Sequence, residues 1–309
     1  MDWLQFFQAD TNLLWAAIVS AIVSAGVSYL LKRREIRFNL SAEYEYEQRK
    51  KLRNLIGSYH GRALQATNRL NQRFWNLYTY VGKGWLNVNG DYSNAGYYFN
   101  TTAHRFLYVC SLARQFEAEA LYIDARIAEK NDFAFLNYLM AFLWCVSTAS
   151  LFNGLEYDIE HPKDQVLSDE LRAACDSFWV NKQFVSLQMF EERLQKDRSL
   201  DGILALFDGL QPHEARFRWD KMVAFHLLLL AFVNHFGHQS QYSNRQTFLE
   251  VARQAQNLLV LKNLVLALDK LGLGQDHEAS HIVWAVNMIT KNRQRNYQGD
   301  ETTANGRLK

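Results

Sequence analysis

The chain reads as all-α, and three observations predict it. Only two prolines, Pro162 and Pro212, occur in 309 residues, so few positions forbid a helix interior. Apolar residues recur at three- and four-residue spacing along most of the chain, and alternating runs are nearly absent. Hydrophobic residues make up 49% and aromatics 14%, which is ample for a packed core and far from a disordered composition. The expected layout is a single N-terminal transmembrane helix, a long juxtamembrane coiled-coil-like stalk and a cytoplasmic multi-helix domain.

Leu13 to Leu31 reads LLWAAIVSAIVSAGVSYLL, nineteen residues without a charge. At a rise of about 1.5 Å per residue the run is about 28 Å long, close to the ~30 Å hydrocarbon core of a bilayer. A helix also bonds every backbone N–H and C=O internally, as lipid requires. Residues 13–31 are therefore expected to span a membrane once. Cleavable signal peptides carry positive charge ahead of a shorter apolar stretch. Here Asp2 and Asp10 come first, and Lys32, Arg33, Arg34 and Arg37 follow. That asymmetry places residues 1–12 outside and the C-terminal side in the cytoplasm, at an inner or plasma membrane. Trp3, Phe6, Phe7 and Trp15 fall at one interface and Tyr29 at the other. Ala17, Ala21 and Ala25 recur four apart, as do Ser20, Ser24 and Ser28. Small residues at that spacing let two helices approach closely in lipid, so this face is a candidate for self-association.

Residues 32–81 continue as the juxtamembrane stalk. Leu52, Ile56, Tyr59, Ala63, Ala66, Leu70 and Leu77 repeat at four-three spacing, with Arg73 breaking one position. Such a seam suits a coiled coil or a bundle helix, and Leu52, Ile56, Ala63 and Leu70 join the oligomerisation candidates. Residues 82–96, GKGWLNVNGDYSNAG, break the pattern, and Asn89-Gly90 suits a small hairpin.

The body, 82–297, resumes helical patterning at 97–130 and 131–153. Ser168 is placed to cap a helix reaching about 197, with Asp169 and Glu170 in its first turn. Ser199 is placed to cap a short helix ending at Gly209, and Pro212 to open one ending at Gly237. Ser243 with Gln246 has the form of a capping box for a helix reaching Gly272. A last helix starts near Asp276, and 298–309 is a polar tail expected to be disordered. Two internal stretches, 133–155 and 222–236, are apolar enough to raise the question of further membrane contact. The first carries Asn137, Ser147, Thr148 and Ser150 and lacks a basic stop, and the second is short, so both are read as buried core helices.

Net charge is only +2, with basic residues confined to 32–37, 49–53 and 291–295. Nucleic acid is not indicated as a partner, whereas the first cluster favours anionic lipid heads. Cys110, Cys145 and Cys175 are far apart and odd in number, which argues against a disulfide framework and fits a reducing compartment.

One motif stands out for chemistry. His277-Glu278-Ala279-Ser280-His281 fits H-E-x-x-H. On a helix, His277 and His281 share a face and bind one zinc ion, and Glu278 acts as general base on the bound water. These five residues resemble the signature of zincin metalloproteases. The resemblance implies a third ligand downstream, and Glu301 stands at the spacing of the thermolysin-like group. Read as local structure, the same residues are a helix start. Asp276 then caps, Glu278 meets the dipole, and Ile282, Val283, Val286 and Ile289 face the core. Arg53 and His60 resemble the R-x4–6-H pair of HEPN ribonucleases, which implies RNA cleavage. His226, His235 and His238 form a further group, of which His235 and His238 are close enough to share a metal. No P-loop, G-x-S-x-G or dinucleotide fingerprint occurs.

The expected class is therefore non-enzymatic: a single-pass membrane-anchored helical effector or adaptor, a homo-oligomer whose cytoplasmic domain binds a protein partner or signal, with no cofactor. In this layout the chain is similar to bacterial accessory proteins of stress response and anti-phage defence, where a helical domain controls an oligomeric membrane element. The competing class is a membrane-anchored zinc hydrolase using His277, Glu278 and His281.

Overall fold

A computed structural model describes residues 3–121, 130–158 and 164–306, with side chains for 15, 17–121, 132–158 and 164–294. The described residues are predominantly helical, in keeping with the all-α expectation. They divide into two compact units, Met1–Lys51 and Leu52–Lys309. Helix α1, Trp3–Tyr80, contributes residues to both.

In the first unit, every described side chain is exposed except that of Gln48. Trp15, Ile22, Val23, Val27, Leu30 and Leu31 are all among the exposed large hydrophobics. Among the described residues no helix is long and apolar enough to cross a membrane. The expected span at 13–31 is thus without support from the fold.

The second unit is built around α7, Arg218–Phe236. A helix that is apolar on all sides must be covered on all sides. Helices α3 (Lys130–Ser147), α8 (Arg245–Arg253), α9 (Leu258–Leu268) and α10 (Ala279–Gly306) pack against it. Helix α2, Tyr97–Ala120, packs on α3, α4 (Ser168–Ser177) and α5 (Leu187–Leu194). A short α6, Asp201–Leu204, completes the set. Phe135 and Phe142 of α3 and Phe232 of α7 form the aromatic centre, with ring centroids 5.5–5.8 Å apart. The apolar stretch 222–236 is accordingly a core helix, and 133–155 is a core helix only as far as Ser147, after which a short 3-10 turn at Ser150–Phe152 buries Leu151 and Phe152. The three cysteines are free and buried, and burial pushes the Cys145 and Cys175 thiols up to about 12.

The four-three seam of α1 is filled from within the chain. Ala63 and Leu70 lie in the core, Ile56 packs against it and Leu52 is buried. What the spacing offered to another copy is taken up by this chain's own helices.

Several element boundaries differ from expectation because a distant side chain captures backbone donors. No hairpin forms at Asn89-Gly90, although both residues adopt positive φ (52° and 80°). The Asp208 carboxylate instead accepts from the N–H groups of Val88, Asn89 and Gly90 at 3.0, 3.1 and 2.7 Å. A hairpin forms elsewhere: β1 (Trp179–Val180) pairs antiparallel with β2 (Gln183–Phe184). Asn181 and Lys182 make its two-residue turn at φ 51° and 62°. The helix expected from 168 to about 197 is interrupted there. Ser168 is its first residue, and Leu167 holds the cap position without a side-chain bond.

The start of α7 is set by Asp164, not by Pro212. Its carboxylate accepts from Arg216 Nε (2.7 Å) and the Phe217 N–H (3.0 Å), which holds both residues ahead of the helix. Beyond α7, Asn244 caps α8 in place of Ser243, because Ser243 exchanges backbone bonds with the Asn234 amide. The helix expected to reach Gly272 breaks in two. Asp220 on α7 accepts from the N–H groups of Gln256 (2.6 Å) and Asn257 (3.2 Å), and Asn257 then caps α9. Burial pushes the Asp220 carboxyl up to about 6 against those bonds. Next to it, buried Lys221 donates to the carbonyls of Val146 (3.1 Å) and Thr148 (2.9 Å), at the negative end of α3. Desolvation brings that ammonium down to about 7.

Candidate functional site

The C-terminal end of α7 meets the turn that leads into α10, and the HEASH motif lies at this junction. Helix α10 begins at Ala279, so His277 and Glu278 precede it. Asp276 caps the helix, its Oδ1 accepting from the N–H groups of Glu278 (2.9 Å) and Ala279 (3.0 Å). The same carboxylate accepts from Tyr138 of α3 (2.7 Å) and pairs with His235 of α7 (2.7 Å). Burial works against its charge, but the bonds from His235, Tyr138 and Ala279 outweigh it and hold the pKa at about 2. Three helices are thus tied through one carboxylate. Ile282, Val286 and Ile289 are buried below and Val283 is packed against the core, as a helix start at this position predicts.

Glu278 stands between the two histidines. Its Oε1 accepts from His277 Nδ1 at 2.8 Å, and its Oε2 lies 3.5 Å from His281 Nδ1. Oε2 also accepts from the buried Asn234 amide at 2.9 Å. The His281 side chain is 12% exposed against 77% for His277. His281 Nδ1 is buried without a hydrogen-bond partner. Its ring is fixed edge-on by Phe248 at 5.3 Å. Desolvation lowers the His281 pKa, with Arg245 and His277 adding to the effect and Glu278 opposing it.

The donor atoms of His277, Glu278 and His281 lie within 4.8 Å of one another, so this group could hold a metal ion. A zincin places both histidines on one helical face and keeps its glutamate off the metal. Here the first histidine sits on a turn, and both Glu278 oxygens are engaged by neighbours. The arrangement offers Glu278 as a donor more readily than as a base. Glu301 lies outside the residues whose side chains are described.

The other candidates are not drawn into a site. His60 packs between Phe135 and Phe236 at 6.1 and 6.0 Å, as a core-edge ring, while Arg53 is exposed. His226 is buried between Tyr78, which meets its Nδ1 at 2.9 Å, and Asn71, and burial holds its pKa near 3. His235 is taken by Asp276, and His238 precedes a short 3-10 turn at Gln239–Gln241. Ala17, Ala21 and Ala25 are exposed. A cleft of about 540 Å³ lies between Asn89–Ser93 and Leu194–Asp201, but Asp197 and Asp201 there are paired with Arg193 and Arg198. Asn234 is the residue the motif reading missed. Its sole signal in the sequence is a polar side chain interrupting the apolar run 222–236.

No family model, curated protein or solved structure matches the chain.

Proposed function

We propose that this protein is a non-enzymatic, membrane-anchored helical adaptor or effector that self-associates through its N-terminal segment. The observation that carries the reading is the uncovered apolar run of the first unit, Trp15 to Leu31, with Ile22 at 67% and Leu30 at 63% exposure. A contiguous apolar surface of this kind calls for lipid or a partner. The positive charge immediately after it favours an anionic cytoplasmic leaflet. Because Ala63 and Leu70 pack inside the chain, self-association rests on Ala17, Ala21 and Ala25. The helical body then serves to bind a protein or signal, in the manner of stress and anti-phage accessory proteins.

The test is flotation of the full chain with vesicles containing anionic lipid, followed by mass measurement in mild detergent. Co-flotation and an oligomer that Ala21→Leu with Ala25→Leu dissociates are expected. A chain that stays at the bottom of the gradient would sink the anchor, and a detergent monomer would sink the self-association.

A further inference from the structure

We propose that His277, Glu278 and His281 bind one divalent transition-metal ion of the zinc class, with Glu278 as a ligand. Two imidazoles and one carboxylate form a donor set suited to zinc. Ligand bonds of about 2.0–2.1 Å in a tetrahedral site place donor atoms about 3.4 Å apart. One donor atom from each of the three residues lies within 4.8 Å of the others, with His277 Nδ1 2.8 Å from Glu278 Oε1 and His281 Nδ1 3.5 Å from Oε2. The unsatisfied, buried His281 Nδ1 gains its missing partner from the ion. Exposure on the His277 side leaves room for water as the fourth ligand.

The surroundings are those of a held site. Asn234 donates to Glu278 Oε2 and is itself fixed by two bonds to the Ser243 backbone. Phe248 sets the His281 ring, and Asp276 sets the turn that carries His277 and Glu278. Such outer contacts orient the ligands of a metal and raise its affinity. The ion ties the turn before α10 to the first turn of that helix and, through Asn234, to α7. Its role is a structural clasp, and the proposal stands whether or not residues 13–31 enter a membrane.

The test uses the full chain, stripped with chelator and titrated with Co²⁺ and then Zn²⁺. One Co²⁺ per chain with the intense visible absorption of four-coordination is expected, displaced by one Zn²⁺. His277→Ala should abolish the band, and because this side chain is on the surface the loss cannot be laid to unfolding. Glu278→Gln should weaken binding at least about tenfold and shift the band, as loss of a ligand does. Asn234→Ala should weaken it about 10–100-fold, as for other outer-shell contacts. Absence of a saturable band in the wild type overturns the site. Unchanged affinity in Glu278→Gln overturns the ligand role and returns Glu278 to the place it has in zincins.

Discussion

Residues 15–31 of α1 and 222–233 of α7 are both rich in Ala, Val, Leu and aromatic side chains. Yet every described side chain of the first is exposed and every one of the second is buried. What separates them is the polar chemistry at their ends. Helix α7 carries Asp220 and Lys221 in its first turn and Asn234 and His235 in its last, each bonded to a named group on a neighbouring element. Those bonds specify protein on every side. The earlier run is flanked only by charges suited to water, and its interior polar groups are small serines. Composition says that a helix must be covered, and in α7 the bonds at its ends say by what.

The comparison can be broken at its strongest point by Phe232→Ala. This ring is buried against Phe135, Tyr138 and Phe142, and its loss should cost about 3–5 kcal/mol in urea unfolding. A cost under ~1 kcal/mol would mean that α7 is not the centre of the core. Ile22→Arg probes the other run. It should leave the urea midpoint of the body unchanged and weaken vesicle binding by about 2.5–3.5 kcal/mol if the segment sits at the bilayer centre.

Lys221 sharpens the comparison through pH. Its folded pKa is depressed to about 7, below the ~10.4 of an unfolded lysine. Above pH 7 the unfolded chain therefore holds more protons at this site, and stability should rise with pH by at most about 1.4 kcal/mol per unit until about pH 10. Lys221→Met should remove that slope, and identical pH profiles for the two proteins would refute the assignment. The smallest effect is expected of Asn244→Ala, which removes the α8 cap at about 1 kcal/mol by thermal melting.

The sequence carried the helical class, the end of α7 at Gly237 and the cap at Asp276, because each follows from local periodicity or a single residue type. It did not carry the breaks between α8 and α9 or the missing hairpin at Asn89-Gly90. There the decisive acceptors are Asp220 and Asp208, 36 to 120 positions away and unmarked by any local pattern. The seam at 52–70 shows a related limit: four-three spacing reveals an apolar stripe and is silent on whether the partner is another copy or the same chain. At the HEASH motif the residue types were legible. The position of the helix start one residue after Glu278 was not, and it is what turns that carboxylate toward the rings.

The bonds from Asp208 to residues 88–90 span 118 to 120 positions. On a ribosome that turn stays open until residue 208 has emerged, long after its own residues are made. Exchange of the Val88, Asn89 and Gly90 amides with deuterated solvent is then a clock for long-range closure. Those amides will be protected only once the two halves of the body have met, and cleavage by protease within 88–90 will report the same event.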